Sequence, residues 1–389
     1  MMRWSRMLPR YSPAITWREA LLLTGCGRHP SRLNELASML LPGMNVGPVL
    51  ATPSARQALL FHYVDLRKRA GSGSIALPAQ ICPIVPAVIR TAGLEPLFLD
   101  GDGLLPTPSP EQYSAVLAGS SVIGILVAPM GGYVQDGWST LLPRIPTTVD
   151  LTVDLAQAPF STEALGPDFL SRADAITFSF GVGKGFDTGG GLLVSKRSIP
   201  PPEVVRASGP LVWTTVARSA AIRLAMGLGA YRALLPFVDR MAATDLAVAP
   251  MEQAEANVAL CWLARHRTLE SDFERAATRS AVLGRLGAVQ RSCHDVSVTC
   301  TDAARPLRQL LRLRPGVDRN GVVRAFRAAG LDCAPGGEPF PVGADPHQWP
   351  AAELFTRDAV RLPFLGRLSS RGFDRACSII EKVLTAHGL

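Results

Sequence analysis

The chain has 389 residues, 47% of them apolar and 19% charged, with a formal net charge of +8; this balance excludes a disordered chain, and the length favours two packed domains over one core. The basic residues are spread along the sequence rather than clustered with aromatics, which argues against nucleic acid as a partner. Seven cysteines, at positions 26, 82, 261, 293, 300, 333 and 377, form neither a CxxC pair nor a regular spacing, which argues against a metal site and for reduced thiols in a cytoplasmic protein.

The opening MMRWSRMLPR is basic, but Leu21 to Leu23 make too short an apolar core for a secretion signal. Residues 1–44 are expected to form a segment that packs on the small domain, with a helix from Ser31 to Leu41. The stretch Val46 to Thr52 reads as a short strand. Ser54 with Gln57 three residues later has the form of a capping box, opening a helix through Ala58, Leu59, His62, Tyr63 and Leu66. The start of such a helix is a natural anion site, because unpaired amides and the helix dipole favour negative charge.

Glycines at 71 and 73 end that helix. Ser74 to Pro78 then reads as a strand, Pro86 to Ala92 as a helix and Glu95 to Asp100 as a strand. The alternation continues with Val122 to Ala128 and with TTVDLTVDLAQAP at Thr147 to Pro159. Strand and helix in turn predict a mostly parallel α/β sheet. Within the last strand, Asp150, Thr152 and Asp154 share one face and Leu151 and Val153 the other. An acid at a strand end is well placed to meet a ring nitrogen, and spacing alone does not choose between Asp150 and Asp154.

A further strand in RADAITFSFGVGKGFDTGGGLLVSK runs into Lys184 and a run of glycines. Only four of the 40 basic residues are lysines (Lys68, Lys184, Lys196 and Lys382). A chain that uses arginine almost everywhere yet keeps a lysine between glycines after an apolar strand invites a chemical reading. A primary amine forms a Schiff base and a guanidinium does not. With a carboxylate thirty residues earlier, the pair is what a pyridoxal phosphate enzyme requires: an amine to hold the aldehyde and an acid to keep the pyridine nitrogen protonated.

Residues 197–250 are rich in Ala, Leu and Arg at helical spacing. The apolar run from Leu211 to Phe237 is interrupted by Arg218, Arg223 and Arg232, which argues against a membrane span and for an amphipathic helix. From Met251 a long helix leads into a small domain with strands at Val296 to Cys300 and Gln309 to Leu313, and helices at Arg319 to Ala329 and Ser370 to Ala386. The expected organisation is a large α/β domain over residues 45–250 and a small α+β domain over 251–389.

The order Asp-Leu-Ala-Gln-Ala, Phe-Ser-Phe-Gly-Val-Gly-Lys and Thr-Gly-Gly-Gly-Leu-Leu-Val resembles the DegT/StrS-type sugar aminotransferases, within fold-type I of the pyridoxal phosphate enzymes. The resemblance implies that Asp154 pairs with the pyridine nitrogen, Ala156 packs on the ring and Gln157 sits near the ring hydroxyl. It also implies that Ser179 contacts the phosphate and Lys184 forms the internal aldimine. Where the family has its Ser-Gly-Thr phosphate cradle, this chain has Ser54-Ala55-Arg56, so the amides of Ala55 and Arg56 remain and the threonine hydroxyl is lost. Cys82 stands where the family carries an aromatic that stacks on the ring. Val248 and Pro250 stand where it carries a cross-subunit Asn and Arg.

The implied activity is transfer of an amino group from an amino acid donor to a nucleotide-linked keto-sugar or to a similar small ketone, in a homodimer. Elimination, decarboxylation and racemisation share the same lysine and aspartate. A non-catalytic partner subunit is the alternative that the departures favour.

Overall fold

The computed structural model describes Leu8 and residues 31–101, 105, 107–118, 121–158, 162–181, 184, 190–200, 296–298, 309–337, 345–363, 368 and 370–389. The large domain is a seven-stranded sheet built from β1 (Val49–Thr52), β2 (Ser74–Pro78), β3 (Glu95–Leu99), β4 (Val122–Val127), β5 (Asp150–Asp154), β6 (Ala175–Ser179) and β7 (Gly191–Ser195), in the order β1-β7-β6-β5-β4-β2-β3. Strands β3, β2, β4, β5 and β6 are mutually parallel, while β7 runs against β6 and β1 runs against β7. The expected mixed α/β architecture with a mostly parallel sheet is the one observed.

Both faces of the sheet are covered, which is why β5 is buried at every residue. On one face, Ile125, Val127, Leu151, Val153, Ile176 and Phe178 pack under α1 (Ser31–Leu40) and beside Tyr113, Trp138 and Phe169. On the other face, α2 (Ala55–Ala70) and α3 (Ile84–Thr91) bury Leu59, Tyr63, Leu66, Val85, Val88 and Ile89 against Ile75, Leu77 and Leu126. Helix α2 is bounded by its own chemistry. Ser54 caps its first turn, Arg67, Lys68 and Arg69 complement the dipole in its last turn, and the Gly71 amide closes onto the Arg67 carbonyl.

The small domain is a four-stranded antiparallel sheet of β8 (Val296–Val298), β9 (Leu310–Leu313), β10 (Ala334–Pro335) and β11 (Ala359–Arg361), in the order β10-β11-β9-β8. Helix α4 (Arg319–Ala328) and a C-terminal helix, Ser370–Ala386, close its core around Leu311, Phe326, Val360, Phe373 and Ile380. A further helix, Pro350–Asp358, touches the large domain. The Asp100 carboxylate, at the end of β3, accepts the amides of Ala351 at 3.0 Å and Ala352 at 2.8 Å, capping that helix from the other domain. Gln80 donates to Thr356, and the Leu310 amide donates to the buried Tyr133 hydroxyl at 3.0 Å.

Of residues 1–44, the structure describes Leu8 and residues 31–44. Leu8 bridges Leu331 and exchanges backbone hydrogen bonds with Gly330 and Asp332. The apolar stripe of α1, with Leu36, Ala37 and Leu40 fully or almost fully buried, instead lies in the core of the large sheet. The expected boundary near residue 250, the amphipathic run 211–237, and Val248 and Pro250 lie outside the described residues. Among the described residues, no helix is long and apolar enough to cross a membrane.

Candidate active site

The strand directions gather the residues of interest on one edge. Strands β2 to β6 present their C-terminal ends together, the edge at which open α/β sheets bind ligands. Because β7 reverses direction and β1 reverses again, the end of β1 and the start of β7 lie there too: Thr52 and Ser179 both face Gly191 across the ladder. This edge therefore carries Ser54 and Ala55, Asp154, Ser179, and Gly190 with Gly191.

The start of α2 is seated directly on β7. A Cβ on Gly191 would lie 2.5 Å from the Ala55 nitrogen and 2.7 Å from the Ser54 carbonyl carbon, distances at which backbone must move. Ser54 also forms a bridge to Gly190. The Ser54 side chain serves the helix: its Oγ accepts from the Gln57 amide at 3.4 Å and donates to Gln57 Oε1 at 3.3 Å. What the first turn offers an anion is thus the backbone of Ala55 and Arg56 and the helix dipole.

The two acids of β5 have different surroundings. Asp150, at the opposite edge, sits 2.9 Å from His62 Nε2, accepts the Thr152 hydroxyl at 2.8 Å and has Arg69 at 3.9 Å from its second oxygen. Burial acts to raise its carboxyl, but His62, Thr152 and Arg69 together hold it below the ordinary carboxylate range. Asp154, 7% exposed, accepts the Ala156 amide at 2.9 Å and the Thr177 hydroxyl at 3.0 Å, both on Oδ1. Burial pushes its carboxyl up, opposed by the Ala156 amide, the Lys184 charge and Thr177. Four residues of strand separate the acids by about 13 Å, and only Asp154 is at the ligand edge.

Lys184 follows β6 in a turn where its amide donates to the Gly181 carbonyl at 3.0 Å. A Cβ built on Gly181 would lie 3.6 Å from Ser179 Oγ and 4.0 Å from Lys184 Cγ, so the hydroxyl and the lysine stem flank the same piece of backbone. Ser179 Oγ also accepts the Gly181 amide at 3.4 Å. Lys184 is half-buried and its charge reaches Asp154. Lys196, by contrast, lies at the far end of β7 with its amine on the Arg172 carbonyl.

The other expected site residues fall around this centre. Gln157 Oε1 accepts the Gly131 amide, which follows β4, at 3.2 Å. Ala156 is half-buried beside Asp154, and Arg56 is half-buried in the first turn of α2. Cys82 is half-buried and packs against the cluster of Leu59, Tyr63, Ile81 and Val85, its carbonyl opening α3 by accepting the Val85 amide. Two contributors were not anticipated from sequence, Thr177 and Gly131. Both reach the site through strand neighbours that only the sheet order brings together.

This donor set fits pyridoxal phosphate. A buried carboxylate with one oxygen saturated and no hydrogen bond to the other among the described residues suits a protonated ring nitrogen. A half-buried primary amine lies within electrostatic reach of it, and a glycine-seated helix start on the same edge suits a phosphate dianion. Lys184, Asp154, Ala55, Arg56, Ser179, Ala156, Gln157 and Cys82 are the residues that would surround the group.

No protein-family profile and no curated protein sequence matches the chain. Solved structures do. PseC of Helicobacter pylori, an aminotransferase involved in the biosynthesis of pseudoaminic acid, is 13% identical with a TM-score of 0.69, over 98% of this chain and 100% of that one. Spr1654 of Streptococcus pneumoniae, in its PMP form, is 18% identical with a TM-score of 0.68, over 98% and 100%. DesI, solved in the presence of its TDP-sugar product, is 17% identical with a TM-score of 0.65, over 98% and 93%. The chain shares the fold of these proteins across nearly its whole length, which is fold-type I of the pyridoxal phosphate enzymes.

Proposed function

We propose that the protein is a pyridoxal phosphate-dependent aminotransferase that moves an amino group from an amino acid to a nucleotide-linked keto-sugar or to a similar small ketone. The observation that carries this reading is the convergence of Lys184, buried Asp154 and the glycine-seated start of α2 on one sheet edge. Its likeness in fold to PseC and DesI supports a sugar as acceptor.

When bound, pyridoxal phosphate supplies an aldehyde that condenses with amines and a ring that draws electrons from the adjoining carbon. The chain's residues do the rest. Lys184 Nζ would hold the group through its aldehyde and would serve as the base for the donor's α-proton. Asp154 would pair with a positive charge on the ring nitrogen, and its burial would strengthen that interaction. The amides of Ala55 and Arg56 and the Ser179 hydroxyl bind the phosphate. Gln157, fixed by Gly131, would sit near the ring hydroxyl, and Cys82 would offer the ring face less area than an aromatic. The protein acts as a cytoplasmic homodimer in this reading.

The test is spectroscopic. Purified protein given pyridoxal phosphate is expected to absorb in the visible, to be fixed by borohydride at Lys184, and to convert to the pyridoxamine form with an amino donor. A screen of donors and keto-acceptors then names the pair. Protein that takes up the cofactor but never exchanges an amino group with any donor fits the non-catalytic reading instead.

A further inference from the structure

The contrast between the two acids of β5 goes beyond the site residues named so far. At Asp150 both carboxylate oxygens are occupied within the chain, Oδ1 by His62 and Thr152 and Oδ2 by Arg69. At Asp154 two donors from different elements, Thr177 Oγ1 on β6 and the Ala156 amide after β5, converge on the same oxygen. No hydrogen bond from a described residue reaches the other.

Thr177 is placed by the sheet itself. It lies directly across the parallel ladder from Asp154 and is completely buried. Its β-branched side chain has few rotamers, so its single O–H points where the backbone sets it. With Ala156 alone the carboxylate could turn about its last bond. With Thr177 as a second donor on Oδ1, that rotation is stopped and Oδ2 is held for a cation.

We propose that Thr177 is the positioning residue for Asp154, dictating which carboxylate oxygen meets the cofactor's ring nitrogen; this rests on the pyridoxal phosphate reading above. Among the described residues, the charged and titratable groups that act on Asp154 are Lys184 after β6 and Tyr63 on α2. Of these only Lys184 favours the ionised acid. Thr177 therefore acts in the same direction as Lys184 without carrying charge.

The experiment compares wild type, Thr177→Val, Thr177→Ala, Thr177→Ser and Thr152→Val. It measures the dissociation constant for pyridoxal phosphate and the pH dependence of its bound absorbance, with circular dichroism to establish folding. Thr177→Val and Thr177→Ala, which remove the donor with and without conserving volume, are each expected to weaken the cofactor about tenfold or more. Without the donor, Asp154 protonates more readily, so the acidic limb of binding moves up by about one pH unit. Thr177→Ser is expected to restore both readouts, and Thr152→Val, which removes the matching hydroxyl from Asp150, to leave both unchanged. The proposal is overturned if whichever of the valine and alanine variants folds matches wild type, if serine fails to restore, or if Thr152→Val gives the same shift. Wild type without any cofactor absorbance overturns the underlying reading together with it, an outcome distinct from a binding protein indifferent to Thr177.

Discussion

Gly191→Ala tests the seating of α2 on β7. The added methyl meets the Ala55 nitrogen at 2.5 Å, the Ser54 carbonyl carbon at 2.7 Å and Ala55 Cα at 3.0 Å, all backbone, so no side chain can swing aside. Overpacking of this kind costs about 1–3 kcal/mol, which in a domain of this size lowers Tm by roughly 2–12 °C. The helix start must move, and its amides with it. Losing one hydrogen bond to a charged phosphate, worth about 1.5–3 kcal/mol, weakens pyridoxal phosphate roughly tenfold to a hundredfold. Gly47→Ala is the control, because its methyl would lie 2.4 Å from the Ser195 carbonyl oxygen at the other end of the same pair of strands. Thermal unfolding and a cofactor titration, with inorganic phosphate as competitor, are run on both variants. Both should lose stability and only Gly191→Ala should lose affinity. Equal affinity in Gly191→Ala and wild type, or equal loss in the two variants, refutes the placement of the phosphate at this helix start.

Lys184→Ala should keep the fold while abolishing borohydride fixation of the cofactor and nearly all turnover, as mass spectrometry of the reduced protein and a half-reaction assay will report. Asp154→Asn should still take up the cofactor but slow the half-reaction by orders of magnitude, since an amide does not stabilise the ring's charge. Asp150→Asn should instead leave the chemistry near wild type and destabilise the fold by about 1–3 kcal/mol, because His62, Thr152 and Arg69 exchange a charged acceptor for a neutral amide. The depressed carboxyl of Asp150 stabilises the fold above its unfolded value, and that contribution disappears as pH falls through the lower folded value. Acid unfolding of the asparagine variant should lack this component. Asp100→Ala should cost about 0.5–2 kcal/mol in chemical denaturation by uncapping the helix Pro350–Asp358.

Local chemistry was legible where neighbours in sequence are neighbours in space. Ser54 with Gln57, Gly71 after α2 and the apolar runs of β4 to β7 all announce themselves within a few residues. The partners that distinguish the site do not. His62 pairs with Asp150 from 88 positions away, so the spacing of the two acids gave no reason to prefer Asp154, and the preference came from resemblance alone. Thr177 is invisible for the same reason: its role depends on β5 and β6 pairing in parallel with Asp154 opposite it. Helix α1 shows an apolar stripe in sequence, but a stripe does not say which sheet it covers, and here it covers the large one. The two-residue β10 is too short for any period to reveal.

One helix accounts for the different fates of the two acids. Both lie on the face of β5 that α2 covers, and α2 runs opposite to β5, with its N-terminus at the Asp154 edge and His62 and Arg69 toward Asp150. From Ala55 to His62 the helix rises about 10 Å, close to the roughly 13 Å between the acids along the strand. The helix therefore delivers His62 and Arg69 to the far acid and its first-turn amides to the near edge, where the charge acting on Asp154 is that of Lys184. Burying an acid is unfavourable unless nearby charge and hydrogen bonds offset the loss of water. The same helix start offers its dipole to an anion on that edge, so under the proposed reading a group with a positive ring and a negative phosphate would suit Asp154 and the helix start together.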